Sequence, residues 1–239
     1  MGASDGALLD GRVRYAQPAS GFRSGIEPVL LAAAVPAQPG ECVLEGGSGA
    51  GAGLLCLAAR VPGIRGVGIE CDPMLAALAD GNARANDFAI SFVAGDVLAL
   101  PARGPFDHAF ANPPYHDAAG TPSSDRLRAD AKRAPAGLIT GWAAALGADL
   151  RHGGTLSLIL PPARLTEGLA GCARASCGGA RILPLWPRAG QPAKLLLIRA
   201  VRGSRAPMTL LAGIALHDPE GGFTTEIEAC LRGGVALRF

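Results

Sequence analysis

The sequence predicts an α/β fold in which a doubly wound sheet of seven mostly parallel strands ends in an antiparallel pair. From residue 41 onward, short apolar runs alternate with segments of helical length, which is typical of βα units around a parallel sheet. The last two runs are separated only by Trp186–Ala193, where Pro187, Gly190 and Pro192 favour turns, so these strands are expected to pair antiparallel. A short N-terminal cover, residues 1–40, precedes the alternation.

The predicted strands are short apolar runs, and segments of helical length fill the intervals between them. The strands are expected at Glu41–Glu45, Arg65–Glu70, Ile90–Ala94, Phe106–Asn112, Thr155–Leu160, Ala180–Leu185 and Lys194–Val201. The helices are expected at Ala50–Arg60, Pro73–Asn86, Ala136–Leu150 and Pro162–Ala175. Asp72 before Pro73 is a typical N-cap followed by proline in the first turn.

The N-terminal segment has its own pattern. Gly11–Gln17 is predicted to form a short strand or ribbon, and Glu27–Ala34 a helix that begins near Pro28. We expect both to cover the ends of the first strands. Residues 41–239 are expected to form one globular unit, because a chain of 239 residues and 24.1 kDa fits one α/β domain of ordinary size.

Composition limits where the protein works. Apolar residues make up 49% and charged residues 18% of the chain, and no apolar run reaches the roughly 18 residues that a membrane span requires. The N-terminus shows no charged segment followed by a long apolar one, as a secretory signal would. We therefore expect a cytoplasmic protein that does not associate with membranes.

The cysteines and the charges exclude some classes of site. No Cys-x-x-Cys pair or zinc-type histidine spacing is present, so the six cysteines are expected to be buried reduced thiols, and no metal site is predicted. The net charge is only +2, which does not by itself indicate a nucleic-acid partner. The positive charge is almost wholly arginine, a side chain suited to phosphate, and it is clustered. The clusters are Arg12, Arg14 and Arg23; Arg126, Arg128, Lys132 and Arg133; and Arg199, Arg202 and Arg205.

A glycine-rich loop follows the first predicted strand and leads into a helix. Glu45 precedes Gly47, Gly49 and Gly51, and glycines at alternate positions let the backbone approach a ligand closely. Gly47-x-Gly49-x-x-Ala52 also fits the dinucleotide fingerprint, so the loop alone leaves a nicotinamide dinucleotide and S-adenosylmethionine open.

Two acidic residues at later strand ends extend this prediction. Glu70 ends the second strand, where a carboxylate accepts hydrogen bonds from ribose hydroxyls, and Asp96 lies where the adenine amino group would arrive. The methionine end of S-adenosylmethionine would then lie over the glycines. The ordinary alternatives are a solvated strand terminus for Glu70 and a turn or helix cap for Asp96.

The segment Asn112-Pro113-Pro114-Tyr115 at the end of the fourth strand indicates the chemistry. A planar nitrogen attacks poorly because its lone pair is delocalised, and two carbonyl acceptors aimed at its N–H bonds free that pair. The side-chain oxygen of Asn112 and the backbone oxygen of Pro113 can supply them, since the prolines fix φ near −65°. Tyr115 would stack on the planar group. This motif has no role in hydride transfer, so it favours S-adenosylmethionine as the cofactor.

With these motifs, the chain resembles the class I Rossmann-like methyltransferases and, among them, the bacterial tRNA1(Val) adenine-N6 methyltransferases. The resemblance covers nearly the whole chain. It rests also on Gln17-Pro18, on Gly21-Phe22-Arg23-Ser24-Gly25-Ile26-Glu27-Pro28-Val29-Leu30-Leu31, on Gly120-Thr121-Pro122 and on Gly222-Phe223-Thr224-Thr225-Glu226.

The resemblance implies a substrate and further site residues. The target would be an adenine beside a tRNA anticodon, methylated on N6, with no obligatory protein partner. Arg23, Gly25 and Asn112 would contact the cofactor together with the glycine loop. The phosphate contacts are expected from the cations of the polar stretch after Tyr115, whose ordinary alternative is a solvated loop. These cations are Arg126, Arg128, Lys132 and Arg133. His116 is expected to take no part as a base.

Four other classes of protein remain open from the sequence, and a nicotinamide oxidoreductase of the same fold is one of them. A protein glutamine methyltransferase acts on a carboxamide nitrogen, which poses the same lone-pair problem, but such an enzyme typically carries a separate helical N-terminal domain. A DNA adenine methyltransferase would need a sizeable target-recognition insert. A binding module that keeps the cofactor without catalysis is the non-enzyme alternative, and in such a module the Asn-Pro-Pro-Tyr segment would be expected to erode.

Overall fold

The computed structural model describes residues 3–19, 24–99, 104–114 and 137–239. Within them a large mixed sheet is flanked by helices on both faces. Its strands, together with an N-terminal hairpin, are β1 (Ala3–Leu8), β2 (Val13–Pro18), β3 (Cys42–Gly46), β4 (Arg65–Glu70), β5 (Ile90–Ala94), β6 (Phe106–Ala111), β7 (Leu150–Leu160), β8 (Cys177–Trp186), β9 (Leu195–Arg202), β10 (Thr209–Leu210) and β11 (Ile214–Ala215). The helices are α1 (Glu27–Ala34), α2 (Ala52–Arg60), α3 (Pro73–Ala85), α4 (Leu138–Ala148), α5 (Leu165–Arg174, preceded by a 3-10 turn at Pro162–Arg164) and α6 (Thr225–Leu231).

The order of the strands confirms the predicted α/β fold. Along the sheet it is β10-β8-β9-β7-β6-β3-β4-β5, with β11 also paired to β8. Strands β3 to β7 are mutually parallel, whereas β9 runs antiparallel to both β7 and β8. The seven predicted strands and the antiparallel last pair are therefore present. The carboxyl ends of β3 to β7 share one edge of the sheet, and ligands of such folds bind at that edge.

The sheet is buried on both faces. Phe110 and Ile159 belong to the cluster that contains α1 and α2, and their neighbours Ala109 and Leu158 belong to the cluster that contains α4 and α5. Successive side chains of a strand point to opposite faces. The near-continuous apolar runs of β6 and β7 are thus what a sheet covered by helices on both faces requires.

Two asparagines of α3 attach the N-terminal hairpin to the main body. Asn82 accepts a hydrogen bond from the Ala16 N–H and donates to the carbonyls of Ala16 and Ala50, while Asn86 bonds both backbone groups of Arg14. Spaced by one helical turn, the two amides pair with β2 as a neighbouring strand would. The cover therefore lies largely against helices, and it reaches the glycine loop through Ala50.

Several elements differ from the sequence prediction. Strand β1, the two-residue strands β10 and β11, and helix α6 were not predicted. Strand β7 begins at Leu150 instead of Thr155, because a register shift lets Leu150 pair with Phe106 while Gly153 adopts a positive φ of 79°. Gly153 thus lies at an irregularity inside the strand.

Part of the clustered arginine charge is structural. Arg199 donates to the carbonyls of Ala34 and Phe239 and lies 4.3 Å from the centre of the Phe239 ring, and burial lowers the pKa of Arg199 to about 10. Arg202 donates to the carbonyls of Gly147 and Ala175, at the ends of α4 and α5. These two arginines join elements of the fold, so their cluster is not a phosphate site of free cations.

The six cysteines are free of disulfide bonds, and four of them are buried: Cys56, Cys172, Cys177 and Cys230. Cys71 is exposed, because it lies in the bend between β4 and α3, and Cys42 is half-buried. Among the helices of the described segments, none is both long and apolar enough to cross a bilayer.

Candidate functional site

The motifs selected from the sequence meet at the carboxyl edge of the sheet. In the register of the parallel strands, Gly46 pairs with Ile69 on one side and with Ala111 on the other. Asn112, one residue after Ala111, therefore lies beside the glycine loop. Glu70 at the end of β4 pairs with Ala94, so Asp96 follows close to it. The strand order thus brings together four segments that are far apart in the chain.

The glycine loop is folded back onto the end of β4. The N–H groups of Gly47 and Ser48 both donate to the Ile69 carbonyl, at 2.8 and 3.0 Å. Gly47 has a φ of 67° and Gly51 a φ of 93°, a region that L side chains rarely adopt. A methyl group on Gly47 would also lie 2.6 Å from the Trp142 ring. The loop therefore requires glycine at these positions, and it is half-buried at Gly47 and buried at Gly51.

Glu70 fixes the position of the loop. Its Oε2 accepts the Gly49 N–H at 2.8 Å, and its Oε1 accepts the Asp72 N–H at 3.0 Å. Asp72 in turn caps α3 through the Met74 N–H, as predicted. Only 8% of Glu70 is exposed. Its carboxylate thus lies between the glycine loop and the start of α3, where the ribose contact was predicted.

Glu45 lies beneath the loop at the end of β3. It is 4% exposed, and its Oε2 accepts the Leu54 N–H in the first turn of α2 at 2.9 Å. Burial raises the pKa of Glu45 to about 8; the Leu54 hydrogen bond lowers it and the nearby Glu70 carboxylate raises it further. The described contacts of Glu45 are with the helix that supports the loop, and its predicted contact with the cofactor stays a prediction.

The raised pKa of Glu45 has a consequence for stability. Between the ordinary value of 4.5 and about 8, the unfolded chain releases a proton that the folded protein keeps, so the free energy of unfolding falls as pH rises. Glu45→Gln keeps an acceptor for Leu54 and does not titrate. Relative to wild type, its free energy of unfolding should rise by on the order of a few kcal/mol between pH 5 and 8. Urea denaturation of both proteins across this range measures the difference, and parallel pH profiles would contradict it.

Asp96 and the N-terminal segment border the same edge. The Asp96 Oδ1 accepts the Leu98 N–H at 2.9 Å in a turn after β5, and the residue is exposed. This turn is the ordinary structural role, and the carboxylate remains accessible to a ligand. Before α1, Ser24 is held by the Tyr15 hydroxyl at 2.8 Å, and burial raises the pKa of Tyr15 to about 12. Gly25 follows, exposed.

Asn112 carries the most unusual polar group of the site. Its side-chain oxygen Oδ1 is buried, yet it has no hydrogen-bond partner within the described part of the chain. A buried carbonyl without a partner is costly, so such groups are rare unless a ligand or a water completes them. Pro113 is buried and Pro114 half-buried, which holds the turn after β6. The arrangement provides an acceptor for an incoming N–H donor.

Trp142 of α4 is a site residue that the sequence analysis missed. Its ring contacts the glycine loop at Gly47, and its indole Nε1 is buried without a hydrogen-bond partner among the described residues. A large aromatic residue with an N–H donor inside a predicted helix is the sequence signal that was present. The face of α4 that carries Trp142 could not be predicted locally, because it depends on the packing of Leu146 on Gly46.

Several predicted site residues lie outside the described residues. They are the catalytic-segment residue Tyr115, its neighbour His116, the cofactor residue Arg23, and the cations Arg126, Arg128, Lys132 and Arg133. The described segments bring together most of the remaining ones along the carboxyl edge, namely Glu45, Gly47, Gly49, Gly51, Glu70, Asp96, Asn112, Pro113 and Pro114. Gly25 lies in the described segment before α1.

Comparison with known proteins finds methyltransferases similar to this chain. A family model, the methyltransferase small domain, matches residues 27–134. Ribosomal protein L11 methyltransferase of Thermus thermophilus is 37% identical over 83 residues, which make up 35% of this chain. The aligned part is 32% of that relative, so the chain spans about a third of the curated relative that it matches.

Solved structures give the same result for the fold. A predicted O-methyltransferase from Agrobacterium tumefaciens is similar with a TM-score of 0.72 and 27% identity, over 88% of this chain and 97% of that one. A geranyl diphosphate C-methyltransferase from Streptomyces coelicolor, solved with S-adenosyl-L-homocysteine, has a TM-score of 0.54 and 14% identity over 74% and 75% of the two chains. Together with the sheet order and the glycine loop, these likenesses support a class I methyltransferase fold with S-adenosyl-L-methionine as its cofactor.

Proposed function

We propose that the protein methylates N6 of an adenine in tRNA. The observation that carries the proposal is the buried, unpartnered Oδ1 of Asn112, which lies beside the glycine loop at the end of β6. An exocyclic amine has two N–H bonds, and one of them would satisfy this oxygen. The family resemblance of the sequence, including its Asn-Pro-Pro-Tyr segment, supports adenine as the bearer of that amine and tRNA as the molecule that contains it.

The residues of the chain perform two tasks in this reaction. S-adenosylmethionine, when bound, supplies a methyl group on a positively charged sulfur, which is an activated electrophile. Asn112 Oδ1 and the Pro113 carbonyl accept hydrogen bonds from the two N–H groups of the amine. These hydrogen bonds release the nitrogen lone pair and favour the positive charge that develops on nitrogen. They also orient the amine for in-line attack, a contribution worth several kcal/mol in an organised site. No strong base is required, because the methylated amine loses its proton easily.

A nitrogen atom suits this site better as the methyl acceptor than a hydroxyl oxygen does. A hydroxyl nucleophile must give up its proton to become reactive, and an amide oxygen such as that of Asn112 is a very weak base. The same oxygen is well suited to an amine that keeps its proton until the methyl group has been transferred. The chemistry of Asn112 therefore favours N-methylation over the O-methylation named for the Agrobacterium structure.

A protein acceptor is the second candidate. The similarity to a ribosomal protein L11 methyltransferase favours it, although the alignment spans only 83 residues. A glutamine side chain of a protein presents the same delocalised nitrogen as adenine does, and Asn112 would hold it in the same way. The tRNA proposal is preferred because the resemblance extends over the N-terminal cover and the C-terminal segment, both outside the glycine loop and the Asn-Pro-Pro-Tyr turn.

Transfer of a deuterated methyl group separates these candidates. The protein is given labelled S-adenosylmethionine with unmodified tRNA, duplex DNA, ribosomal proteins or a release factor, and the label is located by mass spectrometry. Label on N6-methyladenosine in tRNA is the expected result. Label on a protein side chain in its place would transfer the function to the second candidate, and label on duplex DNA would overturn both.

Trp142 gives a spectroscopic test of where the cofactor binds. Because its ring lies on Gly47, we expect S-adenosylhomocysteine to change the Trp142 fluorescence and Trp142→Ala to weaken cofactor binding about 5- to 30-fold, as loss of about 1–2 kcal/mol of aromatic contact predicts. The variant Trp186→Phe leaves Trp142 as the one tryptophan, since the chain has two. Titration of this variant is the measurement, with Trp142→Phe as the control that keeps a ring without the N–H. Unchanged fluorescence and unchanged affinity would contradict the placement.

A further inference from the structure

A cavity lies at the carboxyl edge of the sheet, near Asn112. Its volume is about 670 Å³, which is in the range of small-molecule sites. The floor is apolar and is formed by Ile26, Pro161, Leu195 and Leu216. These residues come from four separate parts of the chain: the start of α1, the end of β7, the start of β9 and the segment after β11.

The cavity is on the opposite side of Asn112 from the cofactor loop. In the sheet order, β3, β4 and β5 carry the glycine loop, Glu70 and Asp96, whereas β7, β9 and β8 lie on the other side of β6. Leu160 of β7 pairs with Leu196 of β9, so Pro161 and Leu195 lie next to each other. Pro161 is one strand away from Asn112, and Leu195 is two strands away. With roughly 5 Å between neighbouring strands, the cavity begins within about 10 Å of Asn112, on the side away from the glycine loop.

The rim of the cavity carries both signs of charge. Lys194 is exposed beside the apolar floor, and Arg164, which pairs with Glu167 at 2.7 Å, stands near it. Glu27 supplies a carboxylate on the N-terminal side. A cationic edge suits a phosphate, and a carboxylate suits the N–H groups of a nucleobase. The apolar floor between them suits the face of a base.

One wall of the cavity is a fixed aromatic plane. The His217 ring is stacked on Phe223 with 4.8 Å between ring centres and 21° between planes. The Nδ1 of His217 is buried and, within the described segments, has no hydrogen-bond partner. Thr224, next to Phe223, bonds the carbonyls of Ala215 and Leu216 and holds this wall in place. The wall thus offers a flat surface to a molecule that enters the cavity.

We propose that this cavity binds the nucleotide next to the methylated adenine in the RNA. The base of that neighbour lies on the apolar floor with its edge toward Glu27 and His217, and its phosphate lies at Lys194. A paired adenine cannot reach Asn112, so the strand must be splayed, and a pocket for the neighbouring base offsets part of the unstacking free energy. This proposal rests on the proposed function and adds to it a recognition site outside the Asn-Pro-Pro-Tyr turn.

Kinetics of tRNA methylation with Lys194→Gln test the proposal. We expect the KM for tRNA to rise about 3- to 10-fold and the slope of log affinity against log salt to fall by about one, with kcat and the affinity for S-adenosylhomocysteine unchanged. Arg65→Gln is the matched control, because it removes an exposed charge at the opposite, amino edge of the sheet. A Lys194→Gln enzyme with the KM and salt slope of wild type would overturn the proposal.

A crosslinking experiment tests the same site without a substitution. Stem-loop RNAs carry 4-thiouridine at the nucleotide before or after the methylated adenine and are irradiated with the wild-type protein. Adducts within residues 187–217, or at residues 26–27, are the expected result, and adducts confined to other peptides would overturn the cavity assignment. Wild-type protein that fails to methylate tRNA at all would overturn the proposed function as well, so the two failures are distinguishable.

Discussion

Replacement of Asn112 by alanine is expected to lower the methylation rate about 10²- to 10³-fold while the affinity for S-adenosylmethionine stays nearly unchanged. The alanine removes an acceptor that acts on the amine as it gains positive charge, an interaction that is stronger in the transition state than in the ground state. The loss should therefore appear in kcat. Single-turnover methylation of tRNA and calorimetric titration with S-adenosylhomocysteine measure the two quantities separately.

The loss of activity in Asn112→Ala should not be accompanied by a loss of folding stability. Since Oδ1 of Asn112 is buried without a partner in the described chain, its removal deletes an uncompensated polar group, and Asn112→Ala should leave the free energy of unfolding unchanged or raise it by about 1 kcal/mol. Asn82 is the matched control, because this buried asparagine bonds Ala16 and Ala50. Asn82→Ala should destabilise the protein clearly. An inactive Asn112→Ala that is also destabilised would show that Asn112 has a structural role instead, and an Asn112→Ala variant with wild-type activity would contradict the mechanism.

The carboxyl edge of the sheet could be predicted from the sequence because strand ends are local features. Glycines after β3, an acidic residue at the end of β4 and prolines after β6 each indicate where a strand stops. In a parallel sheet all of these ends meet at one edge. The position of Glu70 beside Gly49 and of Asn112 beside the loop thus follows from the fold class, and both are observed.

Other features depend on packing between distant segments. The sequence of β1, Ala3–Leu8, has little β propensity, and this strand forms because β2 offers it an edge and Asn82, 66 residues beyond Ala16, holds β2. Trp142 lies in a predicted helix, but its contact with Gly47 depends on how that helix is rotated. The cavity near Lys194 takes its walls from segments that no local pattern relates to one another.

Replacement of Glu70 by alanine is expected to have the complementary effect, with cofactor affinity reduced about 10²- to 10⁴-fold and the rate at saturating cofactor largely kept. Two ribose hydroxyls donating to one carboxylate are charge-assisted hydrogen bonds, each worth about 1.5–3 kcal/mol. The same change leaves the Gly49 N–H without its acceptor, so the glycine loop loses a contact that fixes it. Both effects fall on binding, which calorimetry with S-adenosylhomocysteine and the KM for S-adenosylmethionine report.

A comparison with Asp72 separates the binding role of Glu70 from its structural role. Asp72 lies two residues further on and caps α3 through the Met74 N–H, so Asp72→Ala should cost about 0.5–2 kcal/mol of stability while cofactor affinity stays within a few fold of wild type. Glu70→Gln keeps one acceptor oxygen and should bind with intermediate affinity. If Glu70→Ala folded normally and bound S-adenosylhomocysteine as wild type does, the ribose would have to lie elsewhere along the edge. Loss of affinity at Glu70 and loss of rate at Asn112 would instead assign cofactor binding and methyl transfer to the two sides of the glycine loop.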